Sequence, residues 1–188
     1  MPLIPEPLRH RLIQLRRVLH EYPELSGQEA NTAAVICKFL DGLDIKYRTN
    51  VGGYGVVADI PGCAGVPHVV LRADTDALPI QEDTGLEFAS VHAGVMHACG
   101  HDGHTTMLLG AAALLSEEKD LPAPVRLIFQ PAEEKGTGAL AMIEAGALEG
   151  AGMIFGGHRD RHYQPGTIVV AEGPVNASSD NFTIEIIG

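Results

Sequence analysis

Leu8, Leu12, Leu15 and Leu19 recur at steps of four, three and four, which lines apolar side chains along one face of a helix that Pro23 then closes. Ser26-Gly27-Gln28-Glu29 has the form of a capping box, in which Ser26 accepts from the N–H three residues on and Glu29 reaches back. A second helix is expected from there to about Leu40. Residues 54–60 and 68–71 read as strands, separated by the turn material Pro61-Gly62. The Ala/Leu-rich run 105–115 predicts a helix, and the β-branched and aromatic run 125–129 a buried strand. Residues 138–145 read as a helix, with strands at 153–155 and 167–170. Helices alternating with short apolar strands predict an α/β fold, a mostly parallel sheet flanked by helices on both faces. At the end, 181–187 alternates polar and apolar residues, a strand with one solvated face. Its different character predicts the start of a second domain, so the chain reads as incomplete and its sheet as exposing an apolar edge.

Composition narrows the choice of partners. With 188 residues and 45% hydrophobic content the chain can bury a core. Thirteen Lys+Arg against 24 Asp+Glu leave a net charge of −11, which argues against nucleic acid or an anionic membrane as the main partner. No apolar stretch approaches the ~20 residues of a membrane-spanning helix, and the N-terminus lacks the apolar core of a signal peptide. Cys37, Cys63 and Cys99 make no even disulfide framework, which suggests a reducing compartment and a cytoplasmic location.

The chemistry gathers where the predicted strands run out. Residues 96–104 read Met-His-Ala-Cys-Gly-His-Asp-Gly-His. Cys99 and His101 are two apart, so a turn can aim thiolate and imidazole at one divalent ion of the zinc type. Taken alone, the pair better fits a buried thiol beside a helix-capping imidazole. His104, three residues on, shares a face with His101 if the helix has begun; ligation, support of a ligand and substrate contact all stay open. Glu133 and Glu134 follow the 125–129 strand, and a turn there lets one ligate metal while its neighbour takes a proton from water. Alone they fit a solvated acidic pair opening a helix. Asp74 and Asp76 flank Thr75, and Asp76 is placed to accept from the distal N–H of a ligating imidazole, unless the triplet is turn chemistry. His158 follows Gly156-Gly157. His10, His20, His68 and His92 read as structural or surface. The conjunction of these strand ends, which open α/β sheets use for ligand crevices, favours a metal-dependent hydrolase.

These segments resemble the N-terminal part of the M20 metallopeptidase superfamily, in its amidohydrolase branch of N-acyl-amino-acid, hippurate and auxin-conjugate hydrolases. The resemblance runs through LRRVLHEYPELS at 15–26, LRADTDALP at 71–79, MHACGHDGHT at 96–105, QPAEE at 130–134 and VNASSD at 175–180. It implies a zinc-peptidase-like catalytic domain whose N-terminal part occupies 1–178, with 179–188 opening a lid and dimerisation domain. It makes Cys99, His101, Glu134 and His158 ligands of a centre of two divalent ions (Zn, Mn, Co or Ni), Glu133 the general acid/base and Asp76 the support of the metal-binding imidazole. The implied reaction is hydrolysis of the amide bond of an N-acyl amino acid or related conjugate by metal-activated water. The family continues through the lid, which mediates homo-oligomerisation, to a returning segment with the last metal-ligating His; neither lies in these 188 residues. An M20-type aminopeptidase or carboxypeptidase, and a non-catalytic chain that only binds metal or a partner, are the alternative readings. A closed structural zinc site is disfavoured by the paired glutamates. Two departures from the family pattern stand out: Lys135 where Gly is common, and Arg159-Asp160-Arg161-His162-Tyr163 in place of an apolar, Pro-containing segment.

Overall fold

The computed structural model describes residues 4–174 and 183–187. Among the described residues, nine elements follow in the order α1 (Glu6–Glu21), α2 (Ala30–Asp41), β1 (Lys46–Arg48), β2 (Val56–Ile60), β3 (His68–Asp74), α3 (His101–Ser116), β4 (Val125–Gln130), α4 (Gly138–Glu144) and β5 (Ala151–Gly156). The five strands form one sheet in the order β1-β2-β4-β3-β5. Strand β4 pairs parallel with β3 and antiparallel with β2, β3 pairs parallel with β5, and β1 is antiparallel to β2. Only β2 therefore runs against the other four, and the sheet is mixed. Its reversal follows from the connections. Short links at 49–55 and 61–67 tie β2 to β1 and β3, too short for the helical crossover that parallel neighbours need.

Central β4 is buried along its whole length, and alternate residues serve opposite faces. Val125, Leu127 and Phe129 join Ile36, Phe39, Leu40, Leu108 and Leu109 under α2 and α3, with α1 laid against α3. Ile128 meets Val57, Val70 and Met142 beneath α4. Arg126 shares that second face because its charge is met: the guanidinium holds Asp59 (2.7 and 3.1 Å) and the carbonyls of Ala147 and Glu149. At the edge, β5 leaves Met153, Ile154 and Phe155 each more than half exposed, an apolar edge like the one expected.

Three local expectations are corrected. The capping box does not form: the Ser26 hydroxyl donates to Asp76 (2.6 Å), and Glu29 accepts from the N–H of Ala132 (2.8 Å). Glu24 caps α2 instead, accepting from the N–H groups of Asn31 (3.1 Å) and Thr32 (2.8 Å). Residues 167–170 form no strand, lying in an exposed segment that pairs with no strand among the described residues. Of the alternating stretch at 181–187, Asn181 and Phe182 fall outside the described residues, and 183–187 carry no regular structure.

Candidate metal centre

Strands β3, β4 and β5 run the same way and end side by side, with Asp74 registered against Gln130 and Arg72 against Gly156. Their C-terminal ends hand over to Thr75-Asp76, Pro131–Glu134 and Gly157-His158. A fourth piece arrives at the N-terminus of α3. Gly100 takes the left-handed conformation (φ 90°), which turns the chain between Cys99 and His101. A Cβ at Gly100 would also meet the side-chain stem of Arg159 at 2.4 Å. The segment before Cys99 is pinned by paired backbone bonds between Leu78 and Met96, 3.0 Å each way.

The expected residues converge. Cys99 Sγ lies 3.3 Å from His158 Nε2. His101, 1% exposed, sets Nδ1 3.2 Å from Asp76 Oδ1. Its Nε2 faces Asp74 (3.6 Å), Glu134 (3.7 Å) and Glu133 (4.0 Å). Asp76 is held from its other oxygen by Ser26 and by the backbone N–H of Glu134 (3.0 Å). Thus one carboxylate ties the strand end of β3, the head of α3 and the glutamate turn together. Among the described residues, Cys99, His101 and His158 form one group able to hold an ion, His101, Glu133 and Glu134 an adjoining one, and Asp74, His101 and His104 a third.

A divalent metal fits this donor set on two counts. His101 Nε2 and Glu134 Oε1 are buried without a hydrogen-bond partner, although such groups are rarely left unsatisfied. In the neutral ring, with Nδ1 donating to Asp76, Nε2 presents a lone pair to carboxylates, an arrangement that repels until a proton or a metal ion lies between. Ligands at 2.0–2.3 Å from one tetrahedral ion lie roughly 3.3–3.8 Å apart, close to the separations found.

The electrostatics agree. Burial, then the carboxylates of Glu134, Glu133 and Asp74, push the Cys99 thiol up to about 12. Burial also raises Glu134, offset in part by His101. For His101, burial opposes the charged form, but Asp76 and Asp74 outweigh it and raise the group. Burial likewise works against ionised Asp74, yet His104, His101 and Arg72 bring it down to about 2. Cys99, His101 and Glu134 thus hold their protons more firmly than free side chains while Asp74 stays ionised, and a cation would displace those protons.

Other positions are settled by their contacts. Lys135 donates to the Ser26 carbonyl (3.2 Å), bracing the glutamate turn. His162 is exposed and pairs with Asp160. His68 and His92 hold the carbonyls of Gly150 and Pro23, and His10 pairs with Glu6 at the surface. His20, read from the sequence as structural or surface, is a buried hub: Nδ1 reaches Asp102 at 2.6 Å and Nε2 reaches Glu82 at 3.2 Å. Its partners are 82 and 62 residues away, so no local pattern could have revealed them. Glu29, which supports the turn at Ala132, was equally hidden.

Fold and cluster are those of a zinc-peptidase-like α/β domain. The model of Peptidase family M20/M25/M40 matches residues 70–186, and the chain belongs to that family. It is 50% identical to N-acetyl-L-cysteine deacetylase of Bacillus subtilis over 96% of this chain and 44% of that protein. It is 48% identical to thermostable carboxypeptidase 1 of Saccharolobus solfataricus, over 94% of this chain and 46% of that one. The crystal structure of Bacillus subtilis YXEP, described as a dinuclear metal binding peptidase from the M20 family, superposes with a TM-score of 0.79. That match has 46% identity and covers 83% of this chain and 44% of the other. The chain thus spans under half the length of these relatives.

Proposed function

We propose that this chain supplies most of the catalytic centre of a metal-dependent amidohydrolase acting on N-acyl amino acids or related conjugates. The observation that carries the reading is the buried, unpartnered His101 Nε2 ringed by Glu133, Glu134 and Asp74. Cys99, His101, Glu134 and His158 would hold the ions. Divalent ions there would polarise the acyl carbonyl and lower the pKa of water towards ~7. Asp76 fixes the His101 tautomer by accepting from Nδ1. Glu133 is the more exposed of the two glutamates, with its side chain 41% exposed, so it can reach solvent and substrate together. It takes the proton from the attacking water and returns it to the leaving amine. The amide C–N bond breaks, releasing a carboxylate and a free amino acid.

In this reading 1–178 is the N-terminal part of the catalytic domain and 179–188 leads into a lid that mediates homo-oligomerisation, in a cytoplasmic enzyme. The likeness to a carboxypeptidase at 48% identity favours a second substrate class, peptides cleaved at the C-terminal residue. A panel of N-acetyl amino acids and N-blocked dipeptides, assayed by release of free amine, separates the two. Within the panel, Glu133→Gln is expected to keep its metal and lose roughly 10²–10⁴-fold in rate. Near-full activity in that variant would remove the assigned role.

A further inference from the structure

Asp74 and His104 are buried beside the candidate centre, yet the proposed chemistry uses neither. His104 has no lone pair left for an ion. Its Nε2 lies 3.0 Å from the backbone N–H of Arg159, and Nδ1 lies 2.6 Å from Asp74 Oδ1. A backbone amide can only donate, so Nε2 must accept. The ring proton is then on Nδ1 and is given to Asp74. Asp74 is itself fixed from the sheet: Arg72 Nη1 donates to its other oxygen (2.8 Å), while Arg72 Nε donates to Gln130 (2.9 Å).

The far end of this chain of contacts reaches a candidate ligand. The peptide unit whose N–H His104 captures precedes the Arg159 carbonyl, which accepts from His158 Nδ1 at 2.8 Å. That bond turns His158 Nε2 towards Cys99 Sγ, 3.3 Å away. The two rings also meet edge to face, with centroids 4.5 Å apart. Residues 157–162 have no regular secondary structure and are exposed. His158 therefore gets little orientation from its own backbone and depends on what grips its neighbour.

We propose that His104 is a positioning residue: through the Arg159 backbone it sets His158 opposite Cys99, carrying the rigidity of the β3 end to a ligand on a loop. This rests on the reading of His158 as a ligand given above. Partners that orient a ligating imidazole typically contribute 10–100-fold to metal affinity. Glutamine's amide carries N–H donors and an acceptor oxygen at similar reach, so it can replace both ring contacts; alanine replaces neither.

The test is Co²⁺ affinity of the chain, read from the thiolate-to-cobalt absorption, in wild type, His104→Ala and His104→Gln. His104→Ala is expected to bind at least ten-fold more weakly, and His104→Gln within about three-fold of wild type. In metal-free protein, the Arg159 amide should exchange slowly in wild type and His104→Gln and quickly in His104→Ala. Should His104→Ala fail to fold, ¹⁵N shifts of the His104 ring in wild type decide: a proton on Nδ1 supports the proposal and a proton on Nε2 overturns it. Equal Co²⁺ affinity in wild type and His104→Ala, or equal loss in both variants, also overturns it. A wild type that binds no Co²⁺ overturns the metal-centre reading itself, an outcome distinct from the others.

Discussion

Replacing His20 by leucine should destabilise the protein by about 3 kcal/mol, because it strands two carboxylates in the interior. His20 is 2% exposed, and the side chains of Asp102 and Glu82 are 0% and 2% exposed. Its two ring nitrogens reach one carboxylate each, so the imidazolium joins α1 to the head of α3 and to the segment leading to Cys99. Removing one partner of a buried ion pair costs about 3–5 kcal/mol. The low end applies here because Arg16 Nε still lies 3.0 Å from Asp102, and the Ser90 N–H (2.6 Å) and Thr84 hydroxyl still serve Glu82. For a chain of this size the loss corresponds to a melting point lower by about 6–12 °C.

The pH dependence has a definite sign. The Asp102 hydrogen bond, opposed by burial, raises His20 above its ordinary value. Its contribution is therefore complete below the unfolded value of about 6.5 and is lost as pH rises through the raised folded value. Burial works against ionised Asp102 and Glu82, but the first is held down chiefly by His20 and the second by the Ser90 N–H. Their contributions are present above about pH 4 and disappear as pH falls further. The gap between wild type and His20→Leu should be widest between about pH 4 and 6.5, measured by urea unfolding across that range. A gap below about 1 kcal/mol at pH 6, or one that widens towards pH 9, would refute the argument.

Three further substitutions probe the supports of the centre. Glu24→Ala removes the cap of α2 and should cost about 1 kcal/mol by denaturant unfolding, whereas Ser26→Ala should leave that helix end unaffected. Gly138→Ala would place a Cβ 1.6 Å from the Pro131 carbonyl, forcing apart α4 and the turn that carries Glu133 and Glu134. It should lower stability by about 2 kcal/mol or more and weaken metal uptake together; a fully stable variant would show that this turn yields freely.

Much of this architecture is legible because it is written in short-range periodicity. The leucine steps of α1 and the apolar runs of β4 and β5 need only neighbours to be read. Strand β1 was missed since Lys46 and Arg48 are exposed and only Tyr47 is half-buried, and the strand gains its order only by pairing with β2. Residues 167–170 carry strand-forming side chains but meet no partner strand among the described residues, so propensity alone does not make them one. The site residues were visible as types at strand ends: Cys99, His101, Asp76, Glu133, Glu134 and His158 do come together. Asp76 was legible as a support and His104 as one of three open roles; other supports were not. Ser26 looks like a helix cap and serves Asp76 instead, and His20 and Glu29 act on residues tens of positions away. Such contacts are set by the packing of α1, α3 and the sheet, which no local pattern encodes.

The cluster around His101 is a metal centre only if it binds an ion. Metal per chain after Zn²⁺ loading and desalting, measured by elemental analysis in wild type and His101→Ala, tests it most directly. At least one tightly held ion per wild-type chain, lost in His101→Ala, is the predicted result. No retained ion, or equal retention in both proteins, would contradict the assignment of this cluster as a metal centre.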